Sequence, residues 1–132
     1  MCQRIDEPAP TMNFGWLTPT SSEDELRRVV LHEFGHALGL IHEHQNPKGG
    51  GIVWNRDAVI ADLSGPPNNW TEATIEENMF KKYEGVVGTK VDAKSIMMYP
   101  IPLAWTLDKT SADLNGELSE TDKTFIAENY PR

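Results

Sequence analysis

The chain has 132 residues, with 12 Lys+Arg against 20 Asp+Glu, giving a formal charge of −8 at pH 7 and a sequence pI near 4.9. That length suits one domain able to bury roughly two-thirds of its unfolded surface, and 39% apolar with 24% charged residues is an ordinary soluble composition. The acidic balance argues against nucleic acid or an anionic membrane as partner, no segment approaches the roughly 18 apolar residues of a membrane span, and a single cysteine, Cys2, excludes an intrachain disulfide or a cysteine-rich zinc module.

The start, Met1 to Pro8, lacks the apolar stretch of a secretory signal, and Cys2 reads as a bystander thiol. Thr11 to Leu17, set between prolines, predicts one short strand. Ser22 and Glu25 form a capping-box pattern, and Leu26, Val29, Val30, Ala37 and Leu38 recur at helical spacing. A helix is therefore expected over about 23–38, with Gly39 as its left-handed stop. Residues 46–51, Asn-Pro-Lys-Gly-Gly-Gly, predict a loop, and 56–63 a short helix ended by Ser64-Gly65-Pro66-Pro67. Thr71 is placed to cap a further helix with Ile75, Met79, Phe80 and Tyr83 on its inner side. Irregular chain is expected over 85–118. Ser119 with Asp122 opens a closing helix that offers Phe125, Ile126 and Tyr130 for packing. Most of the chain is thus helix and loop, with little strand to build a sheet.

The chemistry lies in His32-Glu33-Phe34-Gly35-His36-Ala37-Leu38-Gly39-Leu40-Ile41-His42. His32 and His36, four apart, project from one helix face, a spacing that lets two imidazoles reach one Zn²⁺ at about 2.0–2.1 Å. Glu33 lies about 100° round the helix, near enough to touch a water on the metal without occupying a metal position. In an unbroken helix His42 would sit about 9 Å beyond His36, too far for a shared ion. The chain must turn first, and Gly39 turns most cheaply. Three ligands leave a fourth tetrahedral corner for water, as a catalytic zinc requires. From this chain's own composition, chance produces the pattern on the order of 2 in 10⁵ times, which disfavours a plain amphipathic helix with surface histidines.

The run HExxHxxGxxH is the zinc signature of the metzincin metalloendopeptidases, and Glu43 after His42 resembles the astacin branch. Ser95-Ile96-Met97-Met98-Tyr99 resembles the methionine-turn segment of that branch, and the Leu118–Asp122 stretch is similar to the end of its catalytic domains. The resemblance implies an α+β, zincin-type fold: active-site helix, methionine turn, C-terminal helix and a reduced N-terminal sheet. It implies a single catalytic domain over 1–132, with 1–42 the remnant of an upper subdomain and 43–132 the lower one. It implies Met97 as an apolar floor beneath the metal and Tyr99 as a removable ligand or a donor to the oxyanion. The disulfides usual in that branch cannot form with one cysteine, so the chain resembles a disulfide-free, microbial-type relative. Only about twenty residues precede the helix, so the chain is expected to be a fragment or a shortened form without the edge strand that pairs with substrate.

The expected activity is hydrolysis of peptide bonds in a protein or peptide substrate. A water on one Zn²⁺, held by His32, His36 and His42, attacks with Glu33 as general base and Tyr99 assisting. The resemblance also implies a secreted or extracytoplasmic protein. The alternatives are a zinc-binding module without catalysis, lacking the substrate edge strand, and amide hydrolysis on a small substrate, against which the third histidine and the 95–99 segment weigh. Tyr99 as a half-buried packing residue is the plain reading beside the catalytic one. His44 is expected to be exposed and solvated. The role Glu43 takes in astacins, binding a mature amino terminus, fits poorly with an unprocessed Met1. Trp54, Trp70 and Trp105 are expected to anchor core and loops rather than line a groove. Glu72, Glu76 and Glu77 are expected on a solvated helix face, with Lys81 and Lys82 at its other end.

Overall fold

The computed structural model describes residues 12–131, so Cys2 and the first eleven residues lie outside the described part. Helix and loop dominate. Helix α1 spans Glu23–Ala37, α2 Arg56–Ser64, α3 Glu72–Ile75 and α4 Glu120–Asn129. Among the described residues the only β pairings are two isolated antiparallel bridges, Trp54 with Thr106 and Ile101 with Ala112. The expected strand does not form over 12–17. Asn13 Oδ1 accepts the Gly15 N–H at 2.7 Å and Phe14 O accepts the Leu17 N–H at 2.9 Å, so local turns consume the polar groups a ladder would need.

Two compact units emerge. Among the described residues the first comprises 12–41, Ser95–Met97 and 115–131; the second comprises His42–Lys94 and Met98–Leu114. In the first, Ser22 caps α1 by accepting the Glu25 N–H at 3.2 Å, and three acidic residues fill the positive first turn. Val29, Ile96 and Met97 are its buried apolar residues. Gly35 is buried against Met97, and a Cβ there would collide with the Met97 sulfur. Glycine mid-helix costs about 1 kcal/mol in propensity relative to alanine, and here it admits that close approach. At the far end of α1 the Tyr130 hydroxyl donates to Leu38 O at 2.7 Å, satisfying a terminal carbonyl. Phe125 and Ile126 are half-buried on α4 as expected, whereas the Tyr130 ring stays exposed.

The second unit holds two apolar clusters. Val59 and Leu63 of α2 meet Ile75, Met79 and Phe80, while Ile52, Met98 and Ile101 form the other. Trp54 and Trp105 pack against both clusters and Trp70 against the first, in line with their reading as anchors. Trp105 also donates its Nε1–H to Asp62 at 2.6 Å. Thr71 caps α3 as expected, but after Ile75 the chain widens into a π-type turn over Glu76–Phe80, closed by Lys81 N–H to Glu76 O at 2.9 Å. The helix therefore stops at Phe80, and Tyr83 lies beyond it, its N–H donating to Gln45 O. Glu72, Glu76 and Glu77 are exposed, with Glu76 paired to Arg56 and Glu77 to Lys81.

Candidate metal centre

Helix α1 carries His32, Glu33 and His36, and its ending carries the turn. The Leu40 N–H donates to Gly35 O at 3.0 Å and the Gly39 N–H to His36 O at 2.9 Å, the two bonds of a Schellman motif. Gly39 takes φ +87° with open space about it, the left-handed conformation the sequence requires there. The chain then runs extended into His42, at φ −61° and ψ 130°.

One ligand-capable nitrogen from each of His32, His36 and His42 lies within 4.8 Å of the other two. A tetrahedral ion with metal–nitrogen bonds of about 2.0–2.1 Å would hold such atoms about 3.3 Å apart. The rings of His32 and His36 stand edge to face at 4.9 Å.

Their tautomers are set by partners the sequence does not advertise. His32 Nδ1 lies 2.9 Å from Ile96 O and His36 Nδ1 lies 3.0 Å from Leu40 O. A carbonyl only accepts, so each Nδ1 carries the proton and each Nε2 keeps its lone pair for a cation. Burial lowers the His32 pKa below its ordinary value, and the bond to Ile96 O works in the opposite direction. The neutral imidazole a metal needs is thus favoured. Donor chemistry, spacing and tautomer all fit a borderline-soft divalent ion such as zinc.

Glu33 is half-buried on α1 beside these histidines. Tyr99, also half-buried, lays its ring 4.4 Å from that of His42. His44 departs from expectation. It is fully buried, stacked on Tyr99 at 4.7 Å, and its Nε2 donates to Asn78 O at 2.7 Å. Gln45 Nε2 similarly donates to Glu77 O at 3.0 Å. The π-type turn frees these carbonyls, and a buried ring that satisfies one of them has no reason to face water. Glu43 Oε1 accepts from the Asp92 N–H at 2.9 Å and from Asn46 Nδ2 at 3.0 Å, tying two loops of the second unit.

A further buried carboxylate, outside the histidine motif, holds the 95–97 segment. Asp122 is 5% exposed; its Oδ1 accepts from the Ser95 hydroxyl at 2.7 Å and its Oδ2 from the Ile96 N–H at 2.8 Å. In sequence Asp122 stands out as the capping partner of Ser119, which it is, and as the end of the Leu118–Asp122 stretch. Gly35 is the other residue passed over. Its signal is visible in retrospect, since a glycine between two histidines on one helix turn implies close packing.

The fold and the cluster together define a mostly helix-and-loop protein with a three-histidine group able to hold a metal. Solved structures similar to it are those of myroilysin. One superposes with a TM-score of 0.89 at 44% sequence identity, covering 97% of this chain and 63% of that one. A second has a TM-score of 0.54 at 43% identity, covering 94% of this chain and 55% of that one. The chain therefore spans less than two thirds of the myroilysin chains it matches. No family model matches it, and no curated protein does. Among the described residues, no helix is long and apolar enough to cross a membrane.

Proposed function

We propose that the chain is a zinc-dependent metalloendopeptidase of the metzincin class, closest to the astacin-like branch, acting on a protein or peptide substrate outside the cytoplasm. The observation that carries this reading is the convergence of His32, His36 and His42 nitrogens within 4.8 Å. The likeness to myroilysin, a name given to a protease, supports it. In this reading residues 1–132 are one catalytic domain, with 1–42 its upper and 43–132 its lower part, and Met97 is the apolar floor beneath the ion.

His32, His36 and His42 hold the ion, and Ile96 O and Leu40 O fix two of the rings. A Zn²⁺ held there supplies Lewis acidity and lowers the pKa of its water toward ~7. Glu33 takes the proton from the attacking water and passes it to the leaving amine as the carbon–nitrogen bond breaks. Tyr99, its ring against His42, donates a hydrogen bond to the oxyanion of the tetrahedral intermediate.

The test is hydrolysis of a fluorogenic peptide by the zinc-loaded chain. Activity should vanish on chelation and return with stoichiometric zinc. A three-histidine group able to hold a metal is equally what a second reading requires, a metal-binding module without catalysis. Zinc bound at one equivalent with no hydrolysis of any peptide in a mixed library would select it.

Acid should empty the site. His32 is near 6.5 in an unfolded chain and lower in the fold. Its neutral ring therefore contributes stability that is complete above pH 6.5 and is lost as pH falls through the depressed value. Ligation demands the same neutral rings, so zinc release runs in the same direction. Activity should be gone as pH approaches ~5. Elemental analysis after dialysis should find the site mostly empty by pH ~4.5, and full occupancy at that pH would refute the assignment.

A further inference from the structure

Asp122 is more completely engaged than capping α4 requires. A capping box needs the Ser119 N–H on Asp122 Oδ2, at 2.9 Å, and the Asp122 N–H on Ser119 Oγ, at 3.0 Å. The remaining bonds of this buried carboxylate reach the 95–97 segment. One, from the Ile96 N–H to Oδ2 at 2.8 Å, holds the segment directly; the other ends a continuous chain: His32 Nδ1–H to Ile96 O at 2.9 Å, across that peptide to Met97 N–H, on to Ser95 Oγ at 3.0 Å, and from the Ser95 hydroxyl to Asp122 Oδ1 at 2.7 Å. Every donor points toward Asp122, so each bond strengthens the next.

Carboxylates that accept directly from a ligating histidine orient the ring and raise its basicity. Here the carboxylate is three bonds removed, and a serine and a peptide group carry its influence. Burial removes the water that would screen it, since Ser95, Ile96, Met97 and Asp122 are all at most 5% exposed.

We propose that Asp122, acting through the Ser95 hydroxyl and the 96–97 peptide, is a positioning residue that sets the metal affinity of His32. This rests on the reading of the three histidines as a zinc site. It makes α4 part of the metal centre's support.

Zinc affinity, measured by competition with a chromophoric chelator, separates this role from plain stabilisation. Ser95→Ala breaks the relay and leaves the cap, and Asp122→Asn weakens both. Ser119→Ala breaks the cap bond to the Asp122 N–H and leaves the relay. We expect the first two to weaken zinc binding about 10- to 100-fold. Ser119→Ala should lower the melting temperature with zinc affinity unchanged. In the zinc-loaded chain the His32 Nδ1–H proton resonance should move upfield in Ser95→Ala, a shift that loss of helix stability alone does not produce. If Asp122→Asn fails to fold, Ser95→Ala still decides. Parent-like affinity in Ser95→Ala, or equal weakening in Ser119→Ala, overturns the relay alone. Failure of the parent chain to bind zinc overturns the three-histidine reading and the relay with it.

Discussion

Glu33→Gln is expected to lower kcat/KM for a peptide substrate by about 10²- to 10⁴-fold while zinc content stays at one equivalent. The carboxylate sits next to His32 on α1, half-buried and outside the three-nitrogen group. Its amide has the same shape and similar helix propensity, so neither α1 nor the ligand set should change. What the amide lacks is the ability to accept a proton and return it. A loss in kcat with zinc retained isolates that step from metal binding. Equal rates for Glu33→Gln and parent, with equal zinc, would remove Glu33 from the mechanism.

How legible this site was in the sequence depends on whether its bonds are local. Caps and helix faces obey rules spanning four residues, so α1, its Ser22 cap, its Gly39 turn and the α4 capping box were all readable. The turn at Gly39 was even required, because His42 is useless to an ion shared with His36 unless the helix ends. The groups that fix the rings were not readable. Ile96 O is a backbone atom 64 residues from His32, and Asp122 reaches the segment from 26 residues further on. No residue type encodes such partners, since every residue has a carbonyl. His44 failed for a related reason. Its burial follows from a π-type turn thirty-four residues away that offers the Asn78 carbonyl, and the histidine's own surroundings in sequence look like loop. The strand at 12–17 was lost to an Asn13 turn that competes locally for the same backbone groups.

The second large effect concerns the last ligand. A histidine-to-phenylalanine change at position 42 should weaken zinc binding on the order of 10²- to 10³-fold. Apparent zinc free energies of about 10–16 kcal/mol, shared among four ligands, leave several kcal/mol to each. Phenylalanine is the informative replacement because the His42 ring also packs on Tyr99 at 4.4 Å and on His44 at 5.5 Å. An alanine would open a gap beside the Tyr99 and His44 rings and mix lost packing with lost ligation. Phe keeps an aromatic face there and removes both ring nitrogens, the ligand atom among them. Its melting temperature without zinc should stay near that of the parent, and the stabilisation that saturating zinc gives the parent should shrink with the affinity. Two histidines one helical turn apart still form a weak bidentate site, so binding should persist at higher zinc rather than disappear. Zinc affinity within a few-fold of parent in this variant would mean that the ion takes its third ligand elsewhere, and that the turn at Gly39 serves the fold and not the metal.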